Sequence, residues 1–269
     1  MALVEHRLPR WIKPQLTRLA DEAPEGSDWL HEIKYDGYRM HARIEGDKIQ
    51  LLTRTGLDWS HRYKSTIDAL RSLKVKSAYL DGELCALNAD GVPVFSRLQA
   101  AMDEGQTDQL VFFAFDLLYL NGESTAQLPL IKRKERLKRL FKNEIQGLRY
   151  SEHVFTDGPR FREHACKLGL EGIISKRIDR PYAPGDRGIW VESKCLNREE
   201  FLVVGWTEPE GSRRHHRGLA AGLLHRRWTP ALRWSGGHRH DGEGAEALVR
   251  STGAAAGSAH APRRGAAPR

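Results

Sequence analysis

The chain changes character at about residue 212, and that break limits how much of it can build a core. From Arg213 to Arg269 there is no Lys, Ile, Phe, Tyr, Asn, Gln, Met or Cys, while Ala, Arg, Gly and His dominate. A stretch this poor in branched and aromatic side chains buries too little apolar surface to offset the entropy of ordering it. The break also changes the meaning of the charge. The net +8 comes wholly from this segment: residues 1–212 hold 32 Lys plus Arg against 32 Asp plus Glu, and residues 213–269 hold 11 Arg against Asp241, Glu243 and Glu246. The basic pI is therefore no sign that the body binds a polyanion. The missing residue types include those with AT-rich codons and the abundant ones those with GC-rich codons, as an out-of-frame reading of GC-rich DNA would produce. A frameshift near Gly211-Ser212 is the preferred reading; a genuine basic, disordered tail that binds phosphates is the alternative.

In the body, short apolar runs predict strands at 49–53, 78–87, 111–118, 171–176 and 201–206, and helical spacing predicts helices at about 62–73, 131–142 and 160–168. Strands interleaved with helices indicate an α/β or α+β domain. The helix at 131–142 has apolar residues at 131, 137, 140 and 141 on an otherwise basic cylinder, which predicts one narrow stripe packed inward and cations left in water. No membrane-length apolar stretch or signal peptide is visible. Cys85, Cys166 and Cys195 show no C-x-x-C pairing and read as unpaired thiols of a reducing compartment, with neither a disulfide nor a zinc site.

The chemistry concentrates at Lys34-Tyr-Asp-Gly-Tyr-Arg39. A lysine amine attacks phosphorus only when neutral, and a reference pKa of about 10.4 requires neighbouring cations or desolvation to make it so. Asp36 could orient the amine or a metal, Gly37 lets backbone approach a nucleotide closely, and Arg39 offers a planar fork for phosphate oxygens. Taken alone, the motif is also compatible with a solvated turn at a strand end. Glu83 and Glu171 each sit beside a glycine in strand-like runs, where a plain surface carboxylate is an equal alternative. Phe115 lies in the apolar run Val111 to Leu118, where a core aromatic is the default, and Arg54 follows a strand-like run as a turn cation would.

The order of these segments is more specific than any one of them. KYDGYR at 34–39, TRTG at 53–56, LDGEL at 80–84, FAFDLLYLNG at 113–122, EGIISKR at 171–177 and WVESK at 190–194 resemble the ordered motifs of the covalent nucleotidyltransferases. They are most similar to ATP-dependent DNA ligases, especially the ligase module of bacterial non-homologous end-joining enzymes. The resemblance implies an α+β nucleotidyltransferase (adenylation) fold of antiparallel sheets with flanking helices. It implies Lys34 as the nucleophile that forms lysyl-AMP from ATP, AMP transfer to a DNA 5′-phosphate, and sealing by the adjoining 3′-hydroxyl. It further implies Glu32 in the ATP site, Arg39 and Arg54 on phosphate or ribose, Glu83 on ribose or metal, and Phe115 stacked on adenine. Glu171 is then a ligand of Mg²⁺ or Mn²⁺, and Lys176 and Lys194 contact the α-phosphate. The implied partners are nicked or broken double-stranded DNA, an end-binding Ku-like protein and a repair polymerase, in a bacterial cytoplasm near the nucleoid and away from membranes. An RNA ligase, a capping-type nucleotidyltransferase and an inactive nucleic-acid-binding remnant are the competing readings.

Two departures from the family pattern stand out. Where the family has W-x-K-x-K, this chain reads Trp190-Val191-Glu192-Ser193-Lys194, placing an anion where a cation faces phosphate. At 4 Å and an effective dielectric of 20, each unit-charge interaction is about 4 kcal/mol, so the reversal predicts impaired activity. The family also continues into an OB-type barrel. Here a body of residues 1–202 is followed by a remnant at 203–269, disordered from about 213, in which at most the first strand survives.

Overall fold

The computed structural model describes residues 7–185 and 188–195, and beyond them the backbone of three strands at 201–207, 218–223 and 232–235. In chain order the elements are β1 (Arg18–Leu19), β2 (Trp29–Ile33), β3 (Tyr38–Glu45), β4 (Lys48–Thr53), α1 (Lys64–Arg71), β5 (Ser77–Cys85), α2 (Phe95–Asp103) and β6 (Val111–Leu120). There follow β7 (Glu123–Ser124), α3 (Leu130–Leu140), β8 (Leu148–Tyr150), α4 (Gly158–Lys167), β9 (Gly172–Arg177), β10 (Trp190–Lys194), β11 (Phe201–Thr207), β12 (Gly218–Leu223) and β13 (Leu232–Ser235). This is the α+β nucleotidyltransferase-type arrangement, with mostly antiparallel sheets and few helices.

One sheet runs β4-β3-β5-β6-β7, with β8 added in parallel to β6; a second runs β1-β10-β9-β2. Alternation decides what each face of the larger sheet does. Met40, Ala42 and Ile44 of β3, Leu80 and Leu84 of β5 and Phe112 and Ala114 of β6 form the main core, sealed by Leu70 of α1, Leu98 of α2 and Leu137 of α3. The alternate residues Arg39, His41, Asp81, Glu83 and Phe113 point the other way, toward the second sheet. A register shift between Asp81 and Gly82 against β6 makes Phe115 the extra residue of a bulge. Bulges re-aim side chains next to functional sites, and here the Phe115 ring packs edge-on against Trp190 of β10, with centroids 5.9 Å apart.

α4 starts where the sequence permits it: Asp157 Oδ1 accepts the Arg160 amide at 2.8 Å, and a proline occupies the first turn. α3 departs from expectation. It buries Leu130 and Leu137 but also two cations, Arg133 and Lys134. Arg133 makes a two-pronged ion pair with buried Asp116, at 2.7 and 2.8 Å, and also donates to the Leu128 and Arg180 carbonyls. The pattern of apolar residues could not show this, because the counter-charge comes from β6, 17 positions away, and a further acceptor from Arg180, 47 positions away.

Two further expectations are corrected. Cys166 and Cys195 form a disulfide, with Cα atoms 5.3 Å apart, and only Cys85 is a free, buried thiol. The fold joins residues that sequence spacing left unrelated, at the end of α4 and the end of β10. The strand at 201–206 is not alone either: β11 pairs antiparallel with β12, and β12 with β13. The small residues of Gly218-Leu-Ala-Ala-Gly-Leu223 pose no obstacle to extended pairing; they merely give no sequence signal for it. The rest of the segment from 208 onward lies outside the described residues. Internal contacts divide the chain into Met1–Leu196 and Asn197–Arg269. Among the described residues, no helix is long and apolar enough to cross a membrane.

Candidate active site

Lys34 follows β2 directly, its amide bonded to the Gly172 carbonyl at 2.9 Å. Pairings of β2 with β9 and of β9 with β10 put Glu32, Ile174, Lys176, Trp190, Glu192 and Lys194 on the face that looks toward Arg39, Glu83 and Phe115. At one end of this face Lys34 Nζ lies 2.5 Å from Glu171 Oε2, and Lys194 Nζ lies 3.6 Å from Glu171 Oε1. A lysine amine, a carboxylate and a second cation are thereby gathered from three strands' ends. Asp36 belongs to the same cluster electrostatically. Burial pushes its carboxyl up, and repulsion from Glu171 adds to this while Lys34 and Lys194 oppose it.

Glu83 on β5 feels the charges of Arg39 and Lys34. Burial raises its pKa to about 8 against the pull of Arg39 and Lys34, and no hydrogen bond or ion pair to a described residue satisfies its carboxyl. Such a carboxyl fits a cation or a ligand hydroxyl. Among the described residues no group of three His, Cys, Asp or Glu is arranged to hold a metal, so Glu83 and Glu171 would need substrate or water oxygens to complete a shell.

Other expected residues are placed differently. Arg39 aims its fork at Asp81, at 3.0 and 2.7 Å, donates to the Gln15 carbonyl at 2.8 Å and reaches the Tyr182 hydroxyl at 3.3 Å. Its donors are largely consumed inside the protein. The Asp81 carboxyl is fully buried; burial pushes it up, but Arg39 and His41 outweigh that and hold it well below the usual carboxylate range. Tyr182 donates to Asp81 at 2.8 Å, and His41 Nε2 lies 3.2 Å from it. Glu32 is equally enclosed: Lys134 sits 2.8 Å from Oε1, while Lys176 and Ser151 Oγ each donate to Oε2 at 2.9 Å. Lys176 rests 4.4 Å from the Phe115 ring centroid and 4.2 Å from that of Trp190, a geometry in which the rings stabilise the cation. Arg54 is exposed beyond β4. Gly37 serves the chain itself: a Cβ there would fall 2.3 Å from the Leu84 carbonyl oxygen and 2.8 Å from Cys85 Sγ. The close approach it permits is to β5 rather than to a nucleotide.

Sequence reasoning missed the residues that hold these groups: Asp81, His41, Tyr182, Gln15, Lys134 and Ser151. Asp81 was within reach, lying in the LDGEL segment two residues before Glu83. Phe113 was also missed; it stacks on Tyr35 with centroids 4.2 Å apart. Glu192 does share the face of Lys194, 3.6 Å away, and its Oε2 accepts from Thr17 Oγ1 at 2.9 Å.

Comparison with known proteins shows the family. The family model described as "ATP dependent DNA ligase domain" matches residues 14–194. The multifunctional non-homologous end joining protein LigD of Pseudomonas aeruginosa is 40% identical over 230 residues, covering 85% of this chain and 27% of that protein. LigD of Mycolicibacterium smegmatis is 31% identical over 229 residues, with coverage of 79% and 29%. The chain thus spans little more than a quarter of the length of these two relatives. Among solved structures, the ligase domain of M. tuberculosis LigD superposes with a TM-score of 0.61 at 30% identity, covering 83% of this chain and 71% of that one. A mycobacterial DNA ligase D complexed with ATP and MES gives 0.62 at 29% identity, covering 83% and 70%. The chain belongs to the ATP-dependent DNA ligase domain family.

Proposed function

We propose that this chain is the adenylating part of an ATP-dependent DNA ligase acting in break repair. The observation that carries the reading is the cluster of Lys34, Glu171 and Lys194, with the Lys34 charge acting on the buried carboxyl of Glu83. Lys34 Nζ attacks the α-phosphorus of ATP, the bond to the pyrophosphate oxygen breaks, and lysyl-AMP forms. Glu171 Oε2 is in position to hold the proton that Lys34 gives up. Lys194 and Lys176 offset charge on the α-phosphate oxygens, since phosphoryl transfer depends chiefly on positioning and charge neutralisation. Phe115, buried against Trp190, supplies the aromatic wall for the base; Arg54 is free for phosphate or DNA. Arg39 and Glu32 act by fixing the floor of the site through Asp81 and Lys176. Glu83 and Glu171 would hold Mg²⁺ or Mn²⁺, which when bound neutralises further phosphate charge.

AMP then passes to a 5′-phosphate at a nick or break in double-stranded DNA, and the 3′-hydroxyl displaces it. The likeness to LigD supports a bacterial end-joining setting, near the nucleoid, with an end-binding Ku-like protein and a repair polymerase as partners. Domains of 1–202 and 203–269 remain our division of the chain. Glu192 favours a second reading, an inactive remnant, because its carboxylate takes one side of Lys194.

The test is incubation with ATP and Mg²⁺ or Mn²⁺ followed by peptide mass mapping. AMP on Lys34, lost in Lys34→Ala, is the expected result; AMP elsewhere overturns the assignment. No adduct together with retained DNA binding favours the remnant. Nick sealing compared on DNA and RNA, with ATP and GTP, separates the RNA ligase and capping readings.

A further inference from the structure

The end of β10 that presents Lys194 is fastened from behind. Cys195 is disulfide-bonded to Cys166 in the last turn of α4. Its amide donates to the Glu171 carbonyl at 2.9 Å, and Arg162 of α4 donates twice to the Lys194 carbonyl, at 3.0 and 2.6 Å. The bond closes a loop over 29 positions that contains Glu171, Lys176, Trp190, Glu192 and Lys194. Lys194 pairs with Gly172 at the last rung of the β9–β10 ladder, where strands fray most readily. Gly172 lets the strands approach so closely that a Cβ there would lie 2.4 Å from the Ser193 carbonyl oxygen. Both linked cysteines are partly accessible, whereas Cys85 is fully buried, with burial pushing its thiol well above the ordinary range. Reagents from solution therefore reach the pair and leave Cys85 inert.

We propose that Cys166 and Cys195 are a positioning pair for adenylation: their disulfide holds Lys194 against Glu171, and its reduction loosens the phosphate-facing end of the site. This rests on the adenylation reading above. The chemistry is thiol–disulfide exchange. A dithiol such as dithiothreitol supplies two electrons and two protons, the S–S bond becomes two thiols, and the reagent leaves as its cyclic disulfide; oxidised glutathione reverses the step. Because Lys194 faces phosphate rather than supplying the nucleophile, loosening it weakens ATP capture more than it slows the bond-making step.

The experiment uses the full chain, oxidised with glutathione disulfide and then split into untreated and dithiothreitol-treated portions. Non-reducing peptide mapping should show a Cys166–Cys195 cross-link with Cys85 free; two free thiols after oxidation overturn the proposal. Lysyl-AMP formation as a function of ATP, measured well below the melting transition of both forms, should show KM rising about fivefold on reduction with a smaller change in maximal rate. Cys166→Ser should match the reduced form and ignore dithiothreitol, while Cys85→Ser should keep the response. A disulfide that only stabilises would lower the melting temperature on reduction and leave KM unmoved, which overturns the proposal. Should the oxidised chain form no lysyl-AMP, the adenylation reading fails on its own. The tether is then decided by amide exchange at Cys195: protection lost on reduction supports it, and equal exchange in both forms overturns it.

Discussion

Strands β3, β5 and β6 offer two faces built from alternate residues of the same stretches of chain, and the two are opposite in kind. Met40, Ala42, Leu80, Leu84, Phe112 and Ala114 on one side are fully buried hydrocarbon. Arg39, His41, Asp81 and Phe115 on the other are joined by ion pairs and ring contacts, with the buried, unpaired carboxyl of Glu83 beside them. The apolar face is held by area and packing and tolerates swaps that conserve volume. The polar face is held by matched partners. Buried pairs like these add little net stability over a hydrocarbon core, but losing one partner strands the other. What the second face provides is fixed geometry: Arg39 and Lys176 cannot wander, and the floor beneath a substrate stays put.

The largest effects should come from cutting either face at one residue. Asp81→Asn leaves the Arg39 guanidinium buried without its counter-charge and should cost about 3–5 kcal/mol. Leu80→Ala, one residue away on the apolar face, should cost a similar 2–5 kcal/mol through a cavity. Urea unfolding measures both. The comparison sharpens in the activity of the folded fraction: Leu80→Ala should keep its lysyl-AMP rate, whereas Asp81→Asn should lose at least tenfold. Equal loss of rate in both would show that the polar face has no special part in placing the site.

Glu32→Gln should cost about 3 kcal/mol at neutral pH, because it leaves Lys134 and Lys176 buried without their counter-charge while Lys134 still donates to the Ser151 carbonyl. Burial pushes the Glu32 carboxyl up, but Lys134 and Lys176 outweigh burial and hold it below the ordinary range. A lowered folded pKa gives stability that is complete above the unfolded value of about 4.3 and disappears as pH falls through the folded value. Wild type should therefore lose more stability than Glu32→Gln as pH drops below about 4.3. Parallel acid limbs in thermal melts of the two proteins would show that the lysines do not hold this carboxylate.

The two faces also differ in how far the sequence revealed them. Apolar runs located β4, β5, β6 and β9 and the helices α1, α3 and α4 to within a few residues, because period-two and helical patterns report the side that meets hydrocarbon. β2 and β3 escaped that reading: Trp29-Leu-His-Glu-Ile33 has two adjacent buried ionisable residues, His31 and Glu32, at its centre, and Tyr38-Arg-Met-His-Ala-Arg-Ile-Glu45 alternates apolar residues with ionisable ones of which His41 and Arg43 are buried. The polar side was legible only where a motif named it, at Glu32, Lys34, Arg39, Glu83, Phe115, Glu171, Lys176 and Lys194. Its supports, Asp81, Tyr182, Lys134 and Ser151, are joined to their partners across up to 167 positions, and no local pattern encodes such partners. The Phe115 bulge and the Cys166–Cys195 bond are likewise products of tertiary placement.

A gain should follow from repairing the charge that the family pattern does not share. Glu192 shares Lys194 with Glu171, and in Glu192→Lys that competition is replaced by a second cation facing phosphate. Lysyl-AMP formation should rise about tenfold, or 1.4 kcal/mol of barrier, well below the full charge reversal because solvent screens a partly exposed pair. The Thr17 hydrogen bond to Glu192 is lost in the exchange, so the melting temperature should fall slightly while the rate climbs. An unchanged or lower rate in a folded protein would mean that position 192 does not meet the nucleotide.

The smallest effect should come from removing residues 213–269. This takes away β12 and β13 and strips β11 of its partner, yet the unit Met1–Leu196 keeps both of its large sheets and all three of its hydrophobic clusters. Its melting temperature should move by no more than about 2 °C, the shift expected for under 1 kcal/mol in a body of this size. Lys34 adenylation should stay within about twofold, because under 0.5 kcal/mol separates such rates. The deletion removes 11 arginines and only three acids, so the net charge falls from +8 to zero. Salt-sensitive, sequence-independent DNA affinity should fall with it, read as a flatter dependence of log K on log salt. A melting shift beyond about 5 °C, or adenylation lost with the segment, would show that the terminal strands are part of the working enzyme and that the contrast between the two faces of one sheet is not sufficient to build the site.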